Sequence, residues 1–167
     1  PEDRLGMGLV ANMDLADNMM LRSFRKGRTP FTNRRPSRKL AVSVVKELEV
    51  VTPGIATPVR RLSGGNVQKV LVGREIASAP TVLLTAYAVR GLDINSSYTI
   101  YDLLNEQKKK GVAVIFVGED LDVMVELCDK IMVLCGGEVS GIVDARKTDK
   151  NEVGLMMTRV GGDESHE

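Results

Sequence analysis

The sequence predicts an α/β protein in which a helical lobe leads into the later part of a sheet. Two observations carry this. After about residue 80, short apolar strands alternate with helical stretches, and before it apolar residues recur at helical spacing. A chain of 167 residues with 43% apolar and only 4% aromatic content fits one globular unit with an aliphatic, Met-rich core.

In order along the chain, Asp14 is placed to cap a short helix running through Met20. Residues 23 to 37, with Gly27, Pro30 and Pro36, read as a basic loop. "SRKLAVSVVKELEV" then puts Leu40, Val44, Val45 and Leu48 on one helical face. A second helix follows Ser63, with Val67, Val70, Leu71, Arg74 and Ile76 at helical spacing. Beyond it come "TVLLTA" (81 to 86), a helix over about 95 to 110 stopped by Gly111, "VAVIFV" (112 to 117), a helix over about 120 to 127, "KIMVLC" (130 to 135) and "EVSGIVD". Short strands apolar on both sides, separated by amphipathic helices, predict parallel strands covered on both faces. There is no internal repeat.

Composition narrows the function classes. With 23 basic and 22 acidic residues the net charge is +1, so overall charge makes no case for nucleic acid or for an acidic disordered chain. Cys128 and Cys135 make no metal-ligand spacing and no disulfide framework, and they read as small hydrophobes on a helix and a buried strand. No apolar run approaches the roughly 20 residues that span a bilayer. The chain starts at Pro1 without a signal-peptide pattern, and this start reads as that of a piece of something longer.

Ser63, Gly64 and Gly65 stand where a phosphate could be met. Ser63 is a natural N-cap, and two glycines allow another molecule close to free backbone N–H groups at the positive end of a helix. An ordinary Ser-Gly-Gly helix start needs the same residue types, so spacing alone leaves both readings open. The basic run of residues 22 to 39 is equally open: a solvated loop, a contact with anionic headgroups or a membrane-bound protein, or a nucleic-acid patch. Only Phe24 and Phe31 accompany its charges, too few aromatics for base stacking. Met156 and Met157 read as packing residues of a last helix.

"LSGGNVQKV" (62 to 70) resembles the signature motif of ABC-type ATPases, and "RGLD" (90 to 93) stands where their D-loop follows the Walker B strand. "PEDRLGMGLV" and "LADNMMLRSF" are similar to the second nucleotide-binding half of the tandem subunits that energise bacterial importers of simple sugars and nucleosides. The resemblance runs from Pro1 to about Val160. It implies a truncated ABC nucleotide-binding fold of the P-loop NTPase kind: a Q-loop and helical subdomain with the signature over 1–79, the later part of a RecA-like α/β core over 80–160, and a tail over 161–167. It also implies two halves packed head to tail, each ATP lying between the phosphate loop of one and the signature helix of the other. Leu62, Ser63, Gly64, Gly65, Asn66 and Asp93 are then expected at an ATP and Mg²⁺ site shared with a partner half, with Glu2 at the Q-loop position normally held by Gln. DNA-repair ATPases carry a similar signature, but "PEDR" and "RGLD" favour the importers.

The chemistry that should accompany the signature is missing. No Gly-rich loop ending in Gly-Lys-Ser/Thr occurs in the 167 residues. A working Walker B strand ends in an Asp for Mg²⁺ and a Glu for the attacking water, where this chain has Ala86 and Tyr87. A methyl group holds no metal, and a phenol with a pKa near 10 is a poor base. Glu119 stands at the switch-histidine position, and the only histidine is His166. The resemblance therefore implies a degenerate half, inactive by itself, lending its signature in trans. Nucleoside importers often show such an altered half, which places that branch ahead of the sugar branch. Expected partners are the second nucleotide-binding half, transmembrane permease subunits and, through them, a solute-binding protein, at the cytoplasmic face of the cell membrane. A regulatory or scaffold module that keeps the fold without the chemistry is the other reading.

Overall fold

A computed structural model describes residues 1–24 and 32–158. They form two compact units, one ending at Val117 and the other starting at Gly118. Arg25, Lys26, Arg28, Phe31 and the 161–167 tail lie outside the described residues.

The first unit opens with a single π-helical turn, Arg4–Gly8, capped by the Asp3 carboxylate, which accepts from the amides of Leu5 and Gly6. Helix α1 (Leu15–Met20) is capped by Asp14 as predicted, its carboxylate accepting from Asp17 N at 2.7 Å. Asn18 on α1 is fully buried and secures the entering chain. Its Oδ1 accepts from Val10 N at 2.8 Å, and its Nδ2 donates toward the carbonyls of Val10, Met13 and Asp14 at 3.0–3.2 Å.

Helix α2 spans Arg35–Glu47 and starts inside the segment read as loop. Pro36 falls in its first turn, where the missing N–H has no partner to lose and the fixed φ suits a helix, so this proline starts the helix instead of breaking it. Two cations of the basic run are engaged at home: Arg22 pairs with Glu75 at 3.0 Å and Arg34 with Asp17. After a 3-10 turn (Val59–Arg61) comes helix α3 (Gly64–Ile76), then strand β1 (Val82–Ala86), helix α4 (Ile94–Lys109) and strand β2 (Ala113–Val117).

Two apolar cores meet along α3. Leu15, Met19, Ala41, Val59 and Val70 belong to the first, and Val72, Leu83, Ala88, Ile100 and Leu104 to the second. Leu71 closes the former and Val72 opens the latter. Gly73 lets α2 approach: a Cβ there would stand 2.7 Å from Val44 Cγ1 and 3.0 Å from Leu48 Cδ1.

Strands β1 and β2 are parallel, Val82 opposite Ala113 and Ala86 opposite Val117. The second unit holds helix α5 (Leu121–Leu127), strands β3 (Lys130–Cys135) and β4 (Glu138–Asp144), and helix α6 (Lys150–Thr158). Here the parallel expectation is corrected. β3 and β4 form an antiparallel hairpin because Gly136 and Gly137, both at positive φ, make a two-residue turn. Coverage on both faces is corrected as well. Leu84 is 63% and Ile115 49% exposed, and Met132 and Ile142 of the hairpin are exposed too. Met156 packs against Gly141 as expected, whereas Met157 is exposed. Both cysteines are half-buried, Cys128 at the end of α5 and Cys135 at the end of β3.

Candidate functional site

The start of α3 is built from local chemistry. Ser63 adopts an extended backbone and its hydroxyl accepts from Asn66 N at 3.4 Å and from Asn66 Nδ2 at 2.8 Å. Asn66 Oδ1 in turn accepts from Val51 N at 2.8 Å, so this side chain ties the preceding loop to the cap. Leu62 packs half-buried against the first core, while Ser63 and Gly64 are exposed. A 13-residue helix thus begins with a capping hydroxyl and two glycines, the first of them exposed and flanked by the Arg4 and Leu92 side chains.

Gly65 faces inward. A Cβ there would meet Ser96 Oγ at 2.5 Å and lie 3.7 Å from Asp93 Oδ2, so only a glycine lets the start of α3 rest on the start of α4. Asp93 caps α4, accepting from Ser96 N at 2.9 Å and Ser96 Oγ at 2.7 Å. The Ser96 backbone bond, then its hydroxyl, hold this exposed carboxyl below its ordinary pKa. Two helix starts and one carboxylate are therefore brought together at Gly65, Ser96 and Asp93.

At the end of β1 the picture is different. Ala86 and Tyr87 follow one another into a turn, with Tyr87 at φ 51, its amide donating to Val117 O at 2.8 Å. That is an uncommon conformation for an aromatic residue. Arg90 lies over the Tyr87 ring, 5.8 Å from its centroid, and pairs with Glu2. Glu2 is thereby joined to Arg90 and to none of the α3 residues. Thr85 Oγ1, one residue before Ala86, is buried with no hydrogen-bond partner. Glu119 is exposed at the head of the second unit. Among the described residues no group of three or more His, Cys, Asp or Glu is placed to hold a metal ion. The residues at the end of β1 do not fit Mg²⁺.

Sequence reasoning passed over Arg4 and Gln68. The Arg4 Nε donates to the buried Gln68 Oε1 at 2.8 Å, and its Nη2 donates to the Arg90 carbonyl. Partial burial draws the Arg4 pKa below its ordinary value, although a guanidinium stays charged. Polar residues at helical spacing on α3 were the only local signal, and it does not name a partner 64 residues away.

With this geometry in hand the relatives can be set beside it. The chain is 33% identical over 162 residues to the xylose import ATP-binding protein of Moorella thermoacetica, covering 97% of this chain and 32% of that protein. It is 32% identical over 154 residues to the galactose/methyl galactoside import ATP-binding protein of Escherichia coli, covering 91% and 30%. The chain thus spans about a third of the length of these relatives, and both are named for sugars. Among solved structures, a dimeric ATP-binding cassette in a post-hydrolysis state bound to ADP and Pi superposes with a TM-score of 0.70 at 26% identity, over 84% of this chain and 60% of that one. An ATP-binding subunit of an ABC transporter gives 0.71 at 19% identity, over 90% and 65%, a likeness of fold. No family model matches the chain.

Proposed function

We propose, from the premise that this chain belongs to the ATP-binding-cassette family and carries the later part of a nucleotide-binding domain, that it is the silent half of an ATP-driven sugar importer. It lends the start of α3 in trans to ATP gripped by a partner half. The observation that carries this reading is the glycine-lined helix start at Ser63–Gly64–Gly65, exposed at Ser63 and Gly64, in the same unit as a strand end, Ala86–Tyr87, with neither a metal ligand nor a base.

Each residue has a part in it. The N–H groups of Gly64 and Gly65 and the Ser63 hydroxyl meet the terminal phosphate of the partner's ATP, where aligned donors and the helix dipole favour negative charge. Asn66 keeps Ser63 in place through the bond to its hydroxyl. Leu62 anchors the loop in the core, and Asp93 faces the seam between halves while holding the start of α4. Mg²⁺, when bound, neutralises phosphate charge; its ligands come from the partner half, since Ala86 offers none. Glu2, paired with Arg90, has no phosphate in its own site to sense.

This arrangement works at the cytoplasmic face of the membrane, with permease subunits and a solute-binding protein choosing the solute. Among the described residues no helix is long and apolar enough to cross a membrane, which suits attachment through those partners. Both sugar-importing relatives draw the proposal toward sugars and away from the nucleoside branch. The loss of chemistry at Ala86, Tyr87 and Glu119 favours a second reading, a regulatory module whose signature no longer meets ATP.

Calorimetric titration with Mg-ATP separates these. The chain alone is expected to show no binding, and its mixture with the competent half to bind more tightly than that half alone. Micromolar binding to this chain by itself would overturn the silent assignment. An unchanged affinity in the mixture would favour the regulatory module.

A further inference from the structure

We infer that Arg4 is a positioning residue for the start of α3, an inference that rests on the trans-acting reading of Ser63–Asn66. Gly64 and Gln68 are four residues apart and so lie on one face of α3, a turn apart. The Arg4 guanidinium runs along that face. Its Nε donates to Gln68 Oε1 at 2.8 Å, and its Nη1 lies 3.7 Å from where a Cβ on Gly64 would stand. Its Nη2 donates to the Arg90 carbonyl in the loop that leads to Asp93. One planar group therefore spans the turn Arg4–Gly8, the first two turns of α3 and the loop before α4.

The fork geometry matters. A guanidinium offers its donors in fixed directions, so bonding to Gln68 and Arg90 together sets the offset between α3 and the following loop. Gln68 is 3% exposed, which leaves water little access to replace a lost partner. On the other side of the helix start, Gly65 rests on Ser96 and Asp93. Arg4 and Gly65 thus fix the same offset from two directions, the first by reach and the second by contact. Arg4 does not touch the nucleotide. It decides whether the N–H groups of Gly64 and Gly65 and the Asp93 loop present one surface to the partner half.

A positioning role has a kinetic signature. The initial grip on ATP belongs to the phosphate loop of the partner, whereas the α3 start engages on closure, so misplacement should lower kcat and spare KM. The test uses the intact subunit in its transporter, comparing Arg4→Lys, Gln68→Leu and the double variant for ATPase kcat and KM, with melting temperature measured in parallel. A lysine keeps the charge but cannot make both bonds. Arg4→Lys should lower kcat by about tenfold, a modest instance of what small misplacements cost. KM should stay within about twofold, since ground-state binding is untouched. The double variant should be no worse than the poorer single one, because both remove one shared bond. Wild-type kcat in a folded Arg4→Lys, additive losses, or losses that follow melting temperature alone would each overturn the assignment. Ser63→Arg is the control. If it abolishes turnover while Arg4→Lys does not, only the role of Arg4 fails; if it leaves turnover intact, the trans-acting reading itself fails.

Discussion

The start of α3 and the end of β1 lie in the same unit, yet they have kept opposite things. At α3 every local requirement is met: an N-cap hydroxyl, a second residue holding that hydroxyl, two glycines for close approach, and a core-packed leucine behind them. At β1 the backbone is regular and the residues at its end offer neither a metal ligand nor a base. The parallel register to β2 is regular through Ala86, but the strand delivers a methyl group, an aromatic ring in a left-handed turn and a buried hydroxyl with no partner. The difference teaches that two ends of one unit are suited to different work. Under the proposed function the first is a surface for a partner half, and the second supplies no chemistry of its own.

The sharpest way to break that contrast is to exchange the damage. In the intact subunit, Ser63→Arg puts a bulky cation over the exposed helix start and should cut ATP turnover at least about a hundredfold, comparable to removing a main transition-state donor. Tyr87→Ala should leave turnover within about twofold, since it removes an exposed cation–π contact worth at most about 1 kcal/mol. A tenfold loss in Tyr87→Ala would refute the silent end of the comparison.

Next in size is Gly65→Ala. The added methyl meets Ser96 Oγ, so unfolding should come about 2 kcal/mol earlier, within the usual cost of overpacking. Pairing it with Ser96→Ala should recover part of that loss in a urea titration. A fully additive double mutant would show that the two helix starts do not rest on each other as described.

At the β1 end, substitutions should help. Tyr87→Gly should be more stable than Tyr87→Ala by about 1 kcal/mol, because only glycine occupies a left-handed backbone without penalty. Thr85→Val removes a buried hydroxyl that pays for its dehydration with no bond, and should raise the urea midpoint by an amount equivalent to about 1 kcal/mol. A neutral or lowered midpoint for Thr85→Val would mean that the hydroxyl has a partner after all.

The smallest effect is one of pH. Asp93 has a depressed pKa in the folded chain, so the bonds it makes stabilise the protein above its ordinary carboxyl value and are lost as pH falls through the depressed one. Because Asp93 is fully exposed, Asp93→Asn should lower stability only slightly at neutral pH, and in a stability profile that small difference from wild type should vanish in acid, where the wild-type carboxylate is protonated.

The α3 start was legible in the sequence because capping is local: Ser63 and Asn66 are three residues apart and need no fold to find each other. The end of β1 at Ala86 was legible for the same reason, from the short apolar run that precedes it. Elsewhere locality misled. Pro36 was read as a breaker, although a proline in a first turn is a starter, and the helix begins at Arg35. Gly136–Gly137 is a hairpin signal, but the apolar runs on either side suggested a parallel sheet and the turn was passed over. What no pattern could supply are the contacts of high sequence separation. Arg4 reaches Gln68 across 64 positions and the Arg90 carbonyl across 86, and the clamp on Asn18 depends on where Val10 and Met13 are carried by the turn before them.

That Leu71 and Val72 look into different cores has a mechanical meaning. At 1.5 Å per residue α3 is a rod about 20 Å long, gripped along its length by two separate bodies of packed side chains. Such a rod does not bend between its supports; it conveys a push. A displacement of the first core relative to the second should tilt the helix and carry Ser63, which is tied to the first core through Leu62, along with it. Amide exchange should therefore find the middle of α3 the slowest-exchanging stretch of the first unit, and a tool that loosens either core should quicken it as a whole.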